Sequence, residues 1–248
     1  MSAVVYADKY PPIERGRVAV RLVGGGALIA LAVSLVGLGI VHLATPSGLT
    51  RWEDRVNTWF FVHRTPRLNN LTHIGSYLAE TMTAVGILIV MFILLRLLLG
   101  RWRESWTLFA AIAGELAIFL IVTTVVARPR PIVPHLDKAP PTSSFPSGHT
   151  GAAVVLYGCL AIIIVRQFQV RWLAVLMAII FWSVPIAVGL SRLYRGMHHP
   201  LDVAFGALGS GIWLAIVVTT LLPRTVRHVE STTSRPLSGM QQRKIEDK

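Results

Sequence analysis

Six runs of apolar residues, near 22–44, 78–99, 106–127, 150–166, 172–190 and 201–222, narrow the folds open to this 248-residue chain. At a helical rise of about 1.5 Å per residue, most of them reach the roughly 30 Å depth of a bilayer's hydrocarbon layer. The fourth is the shortest and is expected to begin below the surface. Charged residues make up 15% of the chain, against about 25% in an ordinary soluble domain. The first run exceeds the apolar core of a signal peptide, about 7–15 residues, so it reads as a retained span. The expected fold is an all-α integral membrane protein: six transmembrane helices in a bundle over 22–223, between an N-terminal segment (1–21) and a basic, disordered tail (224–248).

Charge supports this organisation. The net charge is +12, which by itself would also suit nucleic acid. Here the basic residues flank the apolar runs instead of forming one face, which favours membrane topology and anionic headgroups and argues against nucleic acid. Six spans put both termini on one side. With the termini in the cytoplasm, 15 of the 24 basic residues fall on that side. The other side holds nine, of which Arg128, Arg130, Lys138, Arg192 and Arg195 lie in two loops. That orientation, in the plasma membrane, directs those loops outward. Cys159 is the single cysteine, so no intramolecular disulfide can form, and it reads as a small buried hydrophobe. There is no internal repeat and no zinc-type Cys/His spacing.

Between the first two spans, Leu49, Trp52, Val56, Trp59 and Phe60 recur at helical spacing among Arg51, Glu53, Asp54 and Arg55. This predicts an amphipathic helix in the outer interface, either capping the bundle or admitting lipid.

The two outward loops carry the chemistry. In the first, Arg128 and Arg130 alternate with prolines and offer planar donor forks suited to phosphate oxygens. It ends in Pro146-Ser147-Gly148-His149. Ser147 and Gly148 precede an apolar helix, whose free N–H groups and dipole make an anion site. His149 stands beside that site as a proton donor to a leaving oxygen. The second runs from Ser191-Arg192 through His198 to Asp202, with Pro200 at a first helical position. His198 and Asp202 are four residues apart, so the carboxylate is expected to reach back to an imidazole N–H and leave the other ring nitrogen free to attack. A metal held by His149, His198 and Asp202 is the competing arrangement, but the surrounding arginines would repel a cation. No metal or cofactor is therefore expected.

These motifs resemble the type-2 phosphatidic acid phosphatase superfamily. Its pattern is Lys, six residues, Arg-Pro; then Pro-Ser-Gly-His; then Ser-Arg, five residues, His, three residues, Asp. The second part is met by Pro146–His149 and the third by Ser191, Arg192, His198 and Asp202. The first is met only at Arg130-Pro131, and its Lys position falls on Thr123. The resemblance implies a six-helix bundle and metal-independent hydrolysis of a membrane lipid phosphate through a phosphohistidine. It makes His198 the nucleophile, Asp202 its orienting group and His149 the acid, with Arg130, Arg192, Ser147 and Gly148 holding the phosphoryl oxygens. Arg128, with Lys138 or Arg195 as alternatives, is the candidate to replace the missing lysine charge. His199 and Arg195 add basicity that suits a diphosphate, so polyprenyl diphosphate is the first substrate choice, followed by phosphatidylglycerol phosphate and phosphatidic acid. The lysine gap also admits a catalytically weak lipid-binding protein. Glu115, mid-span, and the abundant glycine admit a transporter. Glu115 reads either as a contact to a headgroup or as an acid bonded to a neighbouring helix. Gly206 and Ser210 form a small-residue packing face. Oligomeric state leaves no trace in the sequence.

Overall fold

The structure, a computed structural model, describes residues 14–43, 48–167 and 170–222. Eight helices account for most of them: α1 (Arg15–Leu43), α2 (Gly48–Val62), α3 (Pro66–Tyr77), α4 (Thr81–Leu99), α5 (Arg103–Val125), α6 (Gly148–Val165), α7 (Arg171–Tyr194) and α8 (Pro200–Leu221). Six of these, α1 and α4–α8, are long and apolar enough to cross a membrane, so the protein is a multi-pass integral membrane protein. The expected tail, 224–248, and most of the N-terminal segment lie outside the described residues. Within that segment, residues 15–21 already belong to α1. Arg15, Arg17 and Arg21 thus continue the first span's helix instead of preceding it, as long basic side chains at the end of a span can.

Helix α6 is the centre of the bundle: twelve of its eighteen residues are buried, and it packs against α5, α7, α8 and the edge of α4. Helix α4 is the opposite case, with only Ala84 and Leu95 buried, so much of its apolar surface, including Met82, Ile89, Val90, Leu97 and Leu98, faces outward, as lipid contact requires. Small residues let the central helices approach. The ring of Trp213 lies over Gly114, and its Nε1 donates to the Ala111 carbonyl at 2.9 Å. A Cβ at Gly206 would sit 2.8 Å from the Ser147 carbonyl oxygen. Gly206 therefore sets how closely the starts of α6 and α8 meet, and Ser210, one turn on, faces Gly151 of α6. The small-residue face on α8 is a packing surface.

The segment between the first two spans holds two helices, not one. Helix α3 carries little hydrophobic signal, but Thr65 caps it by accepting from Leu68 N, and Pro66 opens it. Its fold depends on α7: Gly75 lies against Ser191, and Arg195 reaches the Asn69 carbonyl at 3.0 Å. In α2 the amphipathic pattern is present with an unexpected facing. Leu49, Trp52 and Trp59 are exposed, while Glu53 and Asn57, one turn apart, are 1% exposed. The stripe turned to the bundle is mixed, with half-buried Val56 and Phe60 beside buried Glu53 and Asn57, while Leu49, Trp52 and Trp59 face outward among Arg51, Asp54 and Arg55, as in an interfacial helix.

Candidate active site

Backbone hydrogen bonds bring the two sequence motifs into one place. Ser147 N donates to the Asp202 carbonyl at 2.9 Å, tying the start of α6 to the start of α8. After α7, the chain turns back through Gly196, which has φ of 73°, a left-handed conformation that favours glycine. Met197 N then bonds to the Arg192 carbonyl at 3.0 Å. The long loop before α6 is anchored by Phe145, wholly buried against Gly37 of α1 and 5.9 Å from the Phe205 ring. His149, His198, Arg130, Arg192 and Gly148 consequently line one cleft of about 290 Å³. Ala84, Val85, Ile112, Leu116 and Phe119 from α4 and α5 form its apolar wall.

His198 is 4% exposed, and its Nδ1 donates to the Ser144 carbonyl at 2.7 Å. That bond fixes the tautomer and leaves Nε2 with its lone pair. Burial, reinforced by the charges of Arg192 and Arg130, holds the imidazole well below its ordinary pKa, so it is neutral at pH 7. The orienting group is therefore a backbone carbonyl and not the carboxylate expected from the spacing. Asp202 Oδ2 lies 3.9 Å from His198 Nδ1, beyond hydrogen-bonding reach. Its oxygens instead accept from the Ser144 hydroxyl, from His199 N at 2.7 Å and from Arg128 Nη1 at 2.5 Å. Ser144 links the two, its hydroxyl donating to Asp202 and its carbonyl accepting from His198 Nδ1.

Two arginines point at the histidines. Arg130 Nη1 donates to the Met197 carbonyl at 2.7 Å, and its Nη2 lies near Thr142. Arg192 Nη1 donates to Ser76 Oγ at 2.7 Å and to Asp137 Oδ2 at 2.9 Å. In each guanidinium the buried Nε has no protein acceptor, an arrangement that costs free energy unless an anion takes the bond. The first-turn N–H groups of Gly148 and His149 likewise have no helical acceptor. A neutral His198 with one ring nitrogen unprotonated, two cationic forks and a helix start are the features that binding a tetrahedral oxyanion beside a lone pair would require.

Other expected contacts are elsewhere. Arg128 does not line the cleft; its two terminal nitrogens are taken by Asp202 and, at 2.5 Å, by Glu53 of α2. Its fork was expected on phosphate, but two buried carboxylates compete more closely for it. Ser147 is fully buried behind the cleft, its hydroxyl 2.9 Å from Thr150 Oγ1, so of the pair Ser147–Gly148 only Gly148 faces the opening. Arg195 is held by Asp137 and α3, and His199 Nδ1 lies 3.2 Å from Asn57 Nδ2; neither adds basicity to the cleft. Lys138 is exposed. Thr123 is buried with its hydroxyl unpartnered. Glu115 lines the cleft and hydrogen-bonds Ser210 of α8, so it contacts a neighbouring helix as one of its two readings required. Among the described residues, no three His, Cys, Asp or Glu side chains converge as a metal site would need.

Four contributors escaped the sequence reading: Ser144, Ser76, Asp137 and Glu53. Asp137 clamps Arg192 and Arg195 together, and although burial raises its pKa, the hydrogen bond and charge of Arg195 and the charge of Arg192 hold it below the usual carboxylate value. Glu53 carried one faint signal, its four-residue spacing from Asn57.

Fold and site together define a multi-pass membrane protein with a histidine- and arginine-lined cleft at one end of its bundle. The chain belongs to the PAP2 superfamily, whose pattern residues 104–226 match. It is 33% identical over 168 residues to the undecaprenyl-diphosphatase BcrC of Bacillus subtilis (strain 168), covering 63% of this chain and 79% of that one. A shorter stretch of 82 residues is 35% identical to the bacitracin transport permease protein BcrC of Bacillus licheniformis, spanning 33% of this chain and 35% of that protein. The fold is similar to the transmembrane PAP2 type phosphatidylglycerolphosphate phosphatase of Bacillus subtilis, with TM-score 0.68 and 18% identity over 76% of this chain and 93% of that one. It is also similar to Aquifex aeolicus LpxE, with TM-score 0.55 and 25% identity over 66% and 93%.

Proposed function

We propose that this protein is a membrane lipid phosphatase that hydrolyses a phosphate mono- or diphosphate ester through a phosphohistidine. The observation that carries the proposal is the neutral His198 whose free Nε2 shares one cleft with Arg130, Arg192 and His149. His198 Nε2 attacks phosphorus as the bond to the leaving oxygen breaks, and His149, held as an imidazolium by the bound phosphate anion, gives its proton to that oxygen. Nδ1 keeps its proton and its bond to Ser144. Water, deprotonated by His149, then attacks the phosphohistidine as its P–N bond breaks, releasing phosphate and restoring neutral His198 and protonated His149. Arg130, Arg192 and the Gly148 N–H stabilise the equatorial oxygens throughout. No step calls on a metal. The amphipathic cleft suits a substrate with an anionic head and an apolar chain, and the basic-residue balance favours an outward-facing site with cytoplasmic termini.

Polyprenyl diphosphate is the preferred substrate. Its support is the 33% identity to a protein described as an undecaprenyl-diphosphatase, now that His199 and Arg195 lie away from the cleft. Phosphatidylglycerol phosphate and phosphatidic acid follow. One observation favours a second reading, a catalytically weak lipid-phosphate-binding protein: Thr123 stands where the family pattern has lysine, and Arg128 is engaged elsewhere. Phosphate release from the purified protein, in chelator, on a panel of polyprenyl and glycerolipid phosphates decides between them. His198→Gln is expected to lower turnover by about a thousandfold or more; turnover that survives the substitution would remove the mechanism, and headgroup binding without turnover would select the second reading.

A further inference from the structure

The interfacial helix α2 inserts a carboxylate into the support of the nucleophile. Glu53 is 1% exposed, and its two oxygens have separate partners: Oε2 accepts from Arg128 Nη2 at 2.5 Å, and Oε1 accepts from Leu201 N, in the first turn of α8, at 3.0 Å. Arg128 uses its other terminal nitrogen on Asp202. Glu53, Arg128 and Asp202 thus form a continuous buried row from the membrane-surface helix to within 3.9 Å of His198 Nδ1.

The row's charges matter more than its bonds. An arginine paired with Asp202 alone would offset the negative charge that His198 faces. A second carboxylate on the far side of that arginine returns the group to a net charge of −1. When Nε2 bonds to phosphorus while Nδ1 keeps its proton, the ring becomes cationic. A negative field held at a fixed place then favours the transition state over the ground state.

We infer that Glu53 is a positioning residue for the reaction, acting through Arg128 to preserve the negative field of Asp202 at the imidazole of His198. The inference rests on His198 being the nucleophile. Glu53 touches neither substrate nor His198, so its contribution is to the rate of the chemical step and not to substrate binding. It also gives α2 a role distinct from a cap or a lipid gate: it completes the site's electrostatics. The groups that face His198 are Arg192 from α7, His149 from α6, Arg130 from the long loop and Asp202 from α8; Arg128 and Glu53 stand behind Asp202.

The sign of an epistasis tests this. Full-length protein in detergent is assayed for phosphate release from farnesyl diphosphate as wild type, Glu53→Gln, Arg128→Gln and the double variant. Glu53→Gln is expected to lower kcat about five- to tenfold with KM within about twofold, because the row becomes neutral. The double variant, which restores the net charge of −1, is expected to be faster than Glu53→Gln, within about threefold of wild type. The acid limb of kcat/KM should move down in Glu53→Gln and up in Arg128→Gln. If Glu53→Gln alone does not fold, Arg128→Gln carries the same test with opposite sign. A double variant slower than either single one, with the acid limbs unmoved, would overturn the inference and leave Glu53 a structural tie. Turnover that survives His198→Gln in the same assay would instead overturn the parent reading, and this inference with it.

Discussion

At the end of the bundle away from the histidines, Arg103 Nε donates to the Leu221 carbonyl and Arg166 Nη1 to the Leu222 carbonyl, each at 2.6 Å. These guanidiniums close the last turn of α8, where helix carbonyls have no partner of their own. Arg101 and Glu104 add an ion pair at 2.7 Å. At the histidine end the arginines are deployed differently. Arg128 and Arg195 are consumed by carboxylates, while Arg130 at the Met197 carbonyl and Arg192 at Ser76 and Asp137 are gripped at their tips and leave a buried Nε unmatched. One end uses cations to finish helices, and the other uses some cations to hold the rest ready for an anion. A chain with similar counts of arginine at both ends therefore has one structural end and one chemical end, and only the pattern of partners separates them.

Substitutions at the two ends should divide accordingly. After the loss of His198 itself, the largest effect is expected from Arg192→Lys, because an ammonium has neither the planar fork nor the Nε–H that this guanidinium leaves unmatched. Its kcat/KM should fall about a hundredfold in the phosphate-release assay. Arg103→Ala should leave kcat/KM within about twofold of wild type while lowering the thermal midpoint, in keeping with the loss of roughly 1.5–3 kcal/mol from a charged hydrogen bond. Activity loss in Arg103→Ala comparable to that in Arg192→Lys would erase the distinction between the ends.

A pH series gives a smaller, signed effect. Asp137 has a folded-state pKa below its unfolded value, so its contribution to stability is complete above about pH 4 and is lost as pH falls through the folded value. Asp137→Asn should lower the thermal midpoint at pH 7, and the gap to wild type should narrow as pH falls below about 4. For His198, burial with Arg192 and Arg130 lowers the folded pKa, so the neutral ring persists as pH falls below about 6.5 and the acid limb of kcat/KM should lie below that value. Smallest is Thr123→Lys, which adds a third cation near the chemical end; a rise in kcat/KM of about three- to tenfold is expected. No change would mean that two arginines complete the site.

The six spans and both histidine motifs were legible because each depends on local features: apolar length for a span, and a helix start beside an imidazole for a site. Helix α3 was not, since Asn69, Thr72 and Gly75 give it weak helical and apolar signals and its stability comes from Arg195 and Ser191 on α7. The role of Asp202 was legible in kind but not in route. A four-residue spacing on a helix suggests a direct bond to His198, yet the turn at His199 and Pro200 carries the ring out of reach, and Ser144 comes between them from 58 residues away.

The sequence by itself determined that this is a six-span membrane protein with two histidines and their arginines at one face, because hydrocarbon depth and anion chemistry leave few residue patterns that will serve. Tertiary structure decided which arginines are spent and which are available. Arg128, Arg130, Arg192 and Arg195 are chemically identical in the sequence. Their partners in the folded chain separate them: Arg128 gives both terminal nitrogens to Glu53 and Asp202, and Arg195 is taken up by Asp137 and α3. Arg130 and Arg192 line the cleft and keep an unmatched Nε, although Arg192 also bonds Asp137, because a guanidinium whose donors are already paired has none left for an anion.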